Sequence, residues 1–157
     1  DMTSAVRSGR VLALDIGRRR TGLALSDSTR TLATPYAVIT AQPPLAEVLR
    51  TADHLAAEPD GLSAIVVGRP LRLDGRVSAE TEEVDAFVVR LRTRTALPVF
   101  VQDERLSSVE AESRLRVGER DWRKRKPRLD AAAAAVILQD FLDLSGADRD
   151  AAPEPGR

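Results

Sequence analysis

Apolar and polar positions along the chain follow two rhythms, and the switch between them lays out the elements. From Val11 to Asp27 (VLALDIGRRRTGLALSD) the opening run has period two. Val11, Ala13 and Asp15 share one side of an extended strand, and Leu12, Leu14 and Ile16 share the other, so both sides are apolar until the acid is reached. Thr21 to Ser26 (TGLALS) and Thr34 to Ile39 (TPYAVI) read as two further strands, with the polar segment Asp27 to Arg30 suited to a hairpin between them. Three antiparallel strands result. The spacing then changes to three and four: Leu45, Val48, Leu49, Ala52, Leu55 and Ala56, behind Pro44 as a first-turn proline, predict a helix that stops at Glu58-Pro59.

Further on, the β-branched run Ala64 to Val67 (AIVV) predicts a strand covered on both faces, followed by a basic loop from Gly68 to Val77 (GRPLRLDGRV). Val84, Phe87, Val88 and Leu91 predict a second helix and Val99 to Gln102 a fifth strand. Ser107 with Glu110 has the form of a capping box that opens a third helix. The last helix, from about Leu129 to Leu144, carries Ala133, Ala134, Ile137, Leu138 and Phe141 on one stripe. A strand meander followed by alternating helices and strands makes the chain an α/β protein, with a five-stranded mixed sheet and helices on both faces.

Length and composition sharpen that picture. One domain is expected for 157 residues, and 43% hydrophobic residues suffice for a core, which must be aliphatic because only 3% are aromatic. The ends, residues 1–9 (DMTSAVRSG) and 145–157 (SGADRDAAPEPGR), lack periodicity and read as flexible tails around a folded unit at 10–144. Twenty-four basic and twenty-four acidic side chains cancel, which argues against coating nucleic acid or membrane by bulk charge. The absence of cysteine excludes disulfides and thiolate zinc sites. With no apolar run near 18 residues and no signal-like segment, a cytoplasmic protein with no membrane partner is expected.

Candidate chemistry lies in acids at element ends. An ionised carboxylate costs several kcal/mol to bury without a partner or a cation, so Asp15 at the end of an apolar strand demands an explanation. Asp103-Glu104 follows the fifth strand, and Asp130 falls in the first turn of the last helix. If the first and fifth strands are parallel neighbours, their carboxyl ends open on one crevice, and the alanines from Ala131 to Ala135 let the last helix approach closely. Hard cations such as Mg²⁺ or Mn²⁺ relieve the repulsion of clustered carboxylates, and two of them about 3.5 to 4 Å apart would support phosphodiester cleavage. Each acid also has a structural reading: Asp15 bonded to the next turn, Glu104 paired with an arginine, Asp130 serving the helix dipole. His54, the single histidine, fits an exposed position on the first helix.

Four ordered segments, DIGxxxxGLALSD at Asp15 to Asp27, VVGRPLRLDG at Val66 to Gly75, DERLSS at Asp103 to Ser108 and KxxxDAAAAAVIL at Lys126 to Leu138, resemble the RuvX/YqgF family. The resemblance implies an RNase H-like fold and a metal-dependent nuclease related to Holliday-junction resolvases. It makes Asp15, Glu104 and Asp130 the expected catalytic, metal-binding acids, with Asp103 a weaker fourth ligand because adjacent residues on an extended segment point opposite ways. The family has been assigned two substrates, the four-way DNA junction and the precursor of small-subunit ribosomal RNA. The arginine triplet Arg18, Arg19 and Arg20 is more basic than the family's usual segment after DxG.

Basic residues flank the acids: Arg18, Arg19 and Arg20, then Arg69, Arg72 and Arg76, then Arg105, and finally Arg123, Lys124, Arg125 and Lys126. A neutral protein could thus present a positive face to phosphates, although charge runs are also ordinary solvated surface. Trp122 beside the last run reads as a packing residue rather than a base-stacking one. Arginine beside the acids favours crossing phosphates, so junction cleavage by a homodimer with two opposed sites is the leading expectation, and ribosomal RNA maturation the alternative. A catalytically idle nucleic-acid-binding module would not need all three acids. An actin-like ATPase would need a second phosphate loop and a second lobe, for which 157 residues are too few.

Overall fold

The computed structural model describes residues 9–104 and 122–150, with side chains at 9–104 and 131–145. In chain order the elements are β1 (Arg10–Ile16), β2 (Thr21–Ser26), β3 (Ala33–Ile39), α1 (Leu45–Ala57), β4 (Leu62–Arg69), α2 (Ala79–Arg94), β5 (Val99–Asp103) and α3 (Trp122–Asp150). The strands form one sheet in the order β3-β2-β1-β4-β5. β1, β2 and β3 are the expected antiparallel meander, while β1, β4 and β5 run parallel.

Each face of the sheet has its own cover. Leu12, Leu14, Leu23, Ile65 and Val67 pack against Val48, Ala52 and Leu55 of α1 and Val84, Phe87, Val88 and Leu91 of α2. The alternate positions, Val11, Ala13, Ala24, Ala64 and Val66, pack against Ala134, Ile137, Leu138 and Leu142 of α3. Each of the larger aliphatic side chains contributes about 1.5–3 kcal/mol when fully buried, which is how the chain builds a core with so few aromatics. Ala134 is fully buried, and its small side chain brings the α3 backbone close to β1 and β4.

Several polar contacts fix the frame. Arg10 donates to the carbonyls of Gly61 and Leu55 and to Glu58, closing the end of α1 onto β1. Gln139 of α3 accepts from Ala33 N at 3.0 Å and donates to Thr31 O at 2.9 Å, which locks the β2–β3 loop to the helix. In that loop Asp27 accepts from Thr29 Oγ1 and from the backbone of Thr31 and Leu32, and these bonds hold its carboxyl below the ordinary value. Ser78 and Thr81 cap α2 reciprocally, a capping box that is hard to see in the sequence because Thr stands where Glu or Gln is usual.

Two expectations need correction. β1 and β5 are not neighbours; β4 lies between them and pairs with both. The reason is that β4 is buried at every position but its last, which suits the interior of the parallel half, whereas β5 leaves Phe100 and Val101 exposed and takes the edge. The last helix begins at Trp122, not near Leu129, so Asp130 lies beyond its first turn and the helix-dipole explanation of that acid loses its basis. Pro127 falls early in this helix, where the hydrogen bond that it forfeits is among the first of the ladder. The helix also runs past Leu144 to Asp150. The expected cap at Ser107 and Glu110 lies outside the described residues. No helix among the described residues is long and apolar enough to cross a membrane.

Candidate active site

The carboxyl ends of β1, β4 and β5 open on the same edge of the sheet. Asp15 is the next-to-last residue of β1 and continues the face of Val11 and Ala13, which α3 covers. Immediately after β1 Gly17 donates to Arg20 O at 2.8 Å, and a Cβ on Gly17 would stand 2.8 Å from that oxygen, so the tight turn into β2 needs glycine. On β5, Phe100 packs against Phe141 of α3 with ring centroids 5.3 Å apart, which places Phe100, Gln102 and Glu104 on the same face by alternation. Glu104 N donates to Arg69 O at 3.2 Å, holding its backbone just beyond the strand.

Asp15 and Glu104 therefore converge on the α3 face although a strand separates them. The Glu104 carboxyl is pushed up to about 8, first by burial, then by the negative charge of Asp15 and by a hydrogen bond with Asp15 that requires a proton, with Glu80 and Asp103 adding further negative charge. Its Oε2 is buried and has no hydrogen-bond partner among the described residues. A pair of carboxyls kept together in this way must hold a proton or a cation between them.

Gly68 is part of this arrangement and was not singled out from the sequence. A Cβ built there would fall inside contact with Glu104 Oε2, and 2.6 Å from Ile137 Cδ1. The signal was available: a glycine directly after the run AIVV marks a place where something approaches the strand closely. Glu80, in the first turn of α2, was also missed.

Position 130 lies four residues before Ala134 and seven before Ile137, on the row of α3 that faces the sheet. The side chain of Asp130 lies outside those described. Among the described residues no three His, Cys, Asp or Glu side chains gather as a metal site. Asp103 occupies the opposite parity from Glu104 and is exposed, in register with Arg69.

The basic residues divide. Arg69 is held on the α2 side by Asp85 through two parallel bonds, Nε to Oδ1 at 2.9 Å and Nη2 to Oδ2 at 3.0 Å. That fork raises the Arg69 pKa and lowers that of Asp85. Arg18 and Arg19 are exposed at the β1–β2 turn, and Arg18 lies 3.9 Å from Glu80. Arg20 is partly buried. Arg72 and Arg76 are exposed on a small hairpin closed by an isolated bridge between Leu71 and Val77. Arg123, Lys124, Arg125 and Lys126 belong to the start of α3, but their side chains, that of Trp122, and the whole of Arg105 lie outside the described part of the chain. His54 is exposed on α1, 3.6 Å from Glu58, as expected.

Comparison with known proteins gives the family and the fold. The family model RuvX, described as Holliday junction resolvase, matches residues 9–144. A protein of Clavibacter michiganensis named "Putative pre-16S rRNA nuclease" is 40% identical over 151 residues, covering 96% of this chain and 91% of its own length. Proteins of the same name from Roseiflexus and Koribacter versatilis are 42% and 44% identical, over 86% and 90% of this chain and 94% and 92% of theirs. Among solved structures, the yeast mitochondrial Holliday junction resolvase Ydc2 superposes with a TM-score of 0.54 at 12% identity, covering 91% of this chain and 81% of that one. RuvC of T. thermophilus, solved with a Holliday junction substrate, gives 0.51 at 14% identity, covering 88% and 96%. These two likenesses establish the RNase H-like fold, and the match to the family model together with the close relatives establishes that the chain belongs to the RuvX family of nucleases.

Proposed function

We propose that the chain is a divalent-metal-dependent endonuclease acting on the precursor of 16S ribosomal RNA in the cytoplasm, with Asp15, Glu104 and Asp130 as the metal-holding acids. The observation that carries the catalytic part is the meeting of Asp15 and Glu104, two oxygen donors forced together, with a buried Glu104 oxygen that has no partner among the described residues. Hard divalent cations select such donors, so the residues present fit Mg²⁺ or Mn²⁺. When bound, such an ion polarises the scissile phosphate and makes water a nucleophile near neutral pH. The chain's own part is to hold Asp15 and Glu104 at strand ends, to carry position 130 on the row of α3 that faces the sheet, and to offer Arg18, Arg19, Arg72 and Arg76 to flanking phosphates. Arg69, committed to Asp85, serves the frame first.

The ribosomal substrate is preferred because relatives about 40% identical over nearly the whole chain carry that name. The likeness to junction resolvases, at 12% and 14% identity, concerns the fold. This reverses the order of preference drawn from the arginines alone. Junction cleavage is the second reading, favoured by the description of the matching family model, and it requires a dimer that presents two sites. The test is a side-by-side cleavage assay of 16S precursor RNA, four-way DNA junctions and linear duplex, in Mg²⁺ and in Mn²⁺, with the mass of the protein in solution measured alongside. Selective cutting of the RNA precursor, lost in Asp15→Asn, is expected. Selective cutting of junctions by a dimer would overturn the substrate assignment, and full activity of Asp15→Asn would overturn the site.

A further inference from the structure

We infer that Gly68 is a positioning residue, whose missing side chain is the opening through which Glu104 crosses β4 to reach Asp15. This rests on reading Asp15 and Glu104 as the cation-holding pair. Neighbouring strands lie about 4.8 Å apart, so the backbones of β1 and β5 are separated by roughly 10 Å, and a side chain joining them must pass over the intervening strand. Leu14 is in register with Val67 and Gly68 with Gln102, so Gly68 stands level with Asp15 and one same-face step before Glu104. It continues the row of Ala64 and Val66 under α3, on the side where the two carboxyls meet.

The backbone gives no reason for glycine here. Positive φ among the described glycines occurs at Gly9, Gly61 and Gly75, not at Gly68. The reason is space: a Cβ would press on Glu104 Oε2, lie 3.5 Å from Glu104 Cδ, and sit 2.6 Å from Ile137 Cδ1. Both obstacles are ends of flexible side chains. Alanine at position 68 can therefore be accommodated by the fold, but only by swinging the Glu104 carboxyl off its path and shifting Ile137. The first movement damages the cation site, and the second is a matter of packing, so the two can be separated by relieving Ile137 independently.

The test compares full-length Ile137→Val with Gly68→Ala/Ile137→Val, which removes the Ile137 Cδ1 obstacle and leaves the one at Glu104. It repeats the glycine change in an Ile137→Val/Glu104→Ala background. Mn²⁺ affinity is read by electron paramagnetic resonance, and metal-free stability by urea unfolding. Gly68→Ala/Ile137→Val should bind Mn²⁺ about 10- to 100-fold more weakly than Ile137→Val, as when the support of a metal ligand is removed. The glycine change should lower the urea midpoint when Glu104 is present and leave it nearly unchanged in Glu104→Ala, the signature of a direct pairwise conflict. Failure to fold only when Glu104 is present has the same meaning. Unchanged Mn²⁺ affinity, or an equal loss of stability in both backgrounds, including failure to fold in both, would overturn the inference. A Glu104→Gln control keeps the two levels apart: normal Mn²⁺ binding by that variant overturns the reading of the pair itself, whereas weakened binding there with normal binding by Gly68→Ala/Ile137→Val overturns the role of Gly68 alone.

Discussion

Asp15 and Glu104 meet across a strand to which neither belongs, and burial together with the Asp15 charge raises the Glu104 carboxyl to about 8. Asp15 lies at the end of β1, Glu104 follows β5, and β4 runs between them with Gly68 at the crossing point. Two acids held in this way repel when both are ionised, and that stored repulsion makes the pair responsive to pH and to cations.

Removing either carboxylate charge should stop cleavage while leaving the fold intact. Asp15→Asn and Glu104→Gln are expected to lower kcat by on the order of 100-fold or more, since loss of even an outer support of a metal ligand costs about 10- to 100-fold. Binding of nucleic acid, measured by gel retardation in EDTA, should change little. Normal cleavage rates in purified, folded Asp15→Asn would contradict the assignment.

The metal-free protein should lose stability as the pH rises. Folding raises the Glu104 pKa from 4.5 to about 8, so the folded state keeps a proton that the unfolded chain gives up. The contribution is full below the unfolded value of 4.5 and disappears as the pH climbs through about 8. Melting temperature in EDTA should fall across that window, and Glu104→Gln should flatten the fall. Wild-type and variant curves of equal slope would refute it.

Added Mg²⁺ should oppose that trend. A cation that binds only the folded, ionised pair stabilises by about 2.7 kcal/mol when present at roughly a hundredfold excess over its Kd. Thermal unfolding near pH 8 with increasing Mg²⁺ should show a rising midpoint in the wild type and no rise in Asp15→Asn.

Arg72 and Arg76 sit on an exposed hairpin beside the crevice and are expected to bind phosphates. Alanine at either should weaken binding to all nucleic-acid sequences alike and reduce the dependence of log Kd on log salt by about one for each phosphate no longer neutralised. Unaltered salt dependence in the double variant would remove this hairpin from the interface.

The fork between Arg69 and Asp85 is half exposed, with side chains 32% and 44% accessible. Solvent screening limits its worth, so Asp85→Ala should cost at most about 1 kcal/mol in urea unfolding, and less at high salt. A much larger loss would mean that the fork holds the end of β4 in place more firmly than its exposure suggests.

Much of this was legible from residue order because the signals are local. Period-two runs such as Val11 to Ile16, and the alanine-rich stripe around Ala134 and Ile137, fix element type and buried face without knowledge of their partners. Asp15 announced itself as an acid among apolar neighbours. Strand order was less accessible, since AIVV shows that β4 is buried but not which strands flank it. The start of α3 was misplaced because Pro127 and a basic run imitate a loop. The requirement for Gly68 exists only once Glu104, thirty-six positions later in the chain, lies over it.

α3 is the lid over one face of the sheet. It is the last of the described elements to leave a ribosome, and among the described residues it is the helix that covers Val11, Ala13, Ala24, Ala64 and Val66. A nascent chain that lacks it exposes a greasy sheet surface, so such a chain is prone to self-association. Burial of this face therefore waits for a segment far along the chain from the strands it covers.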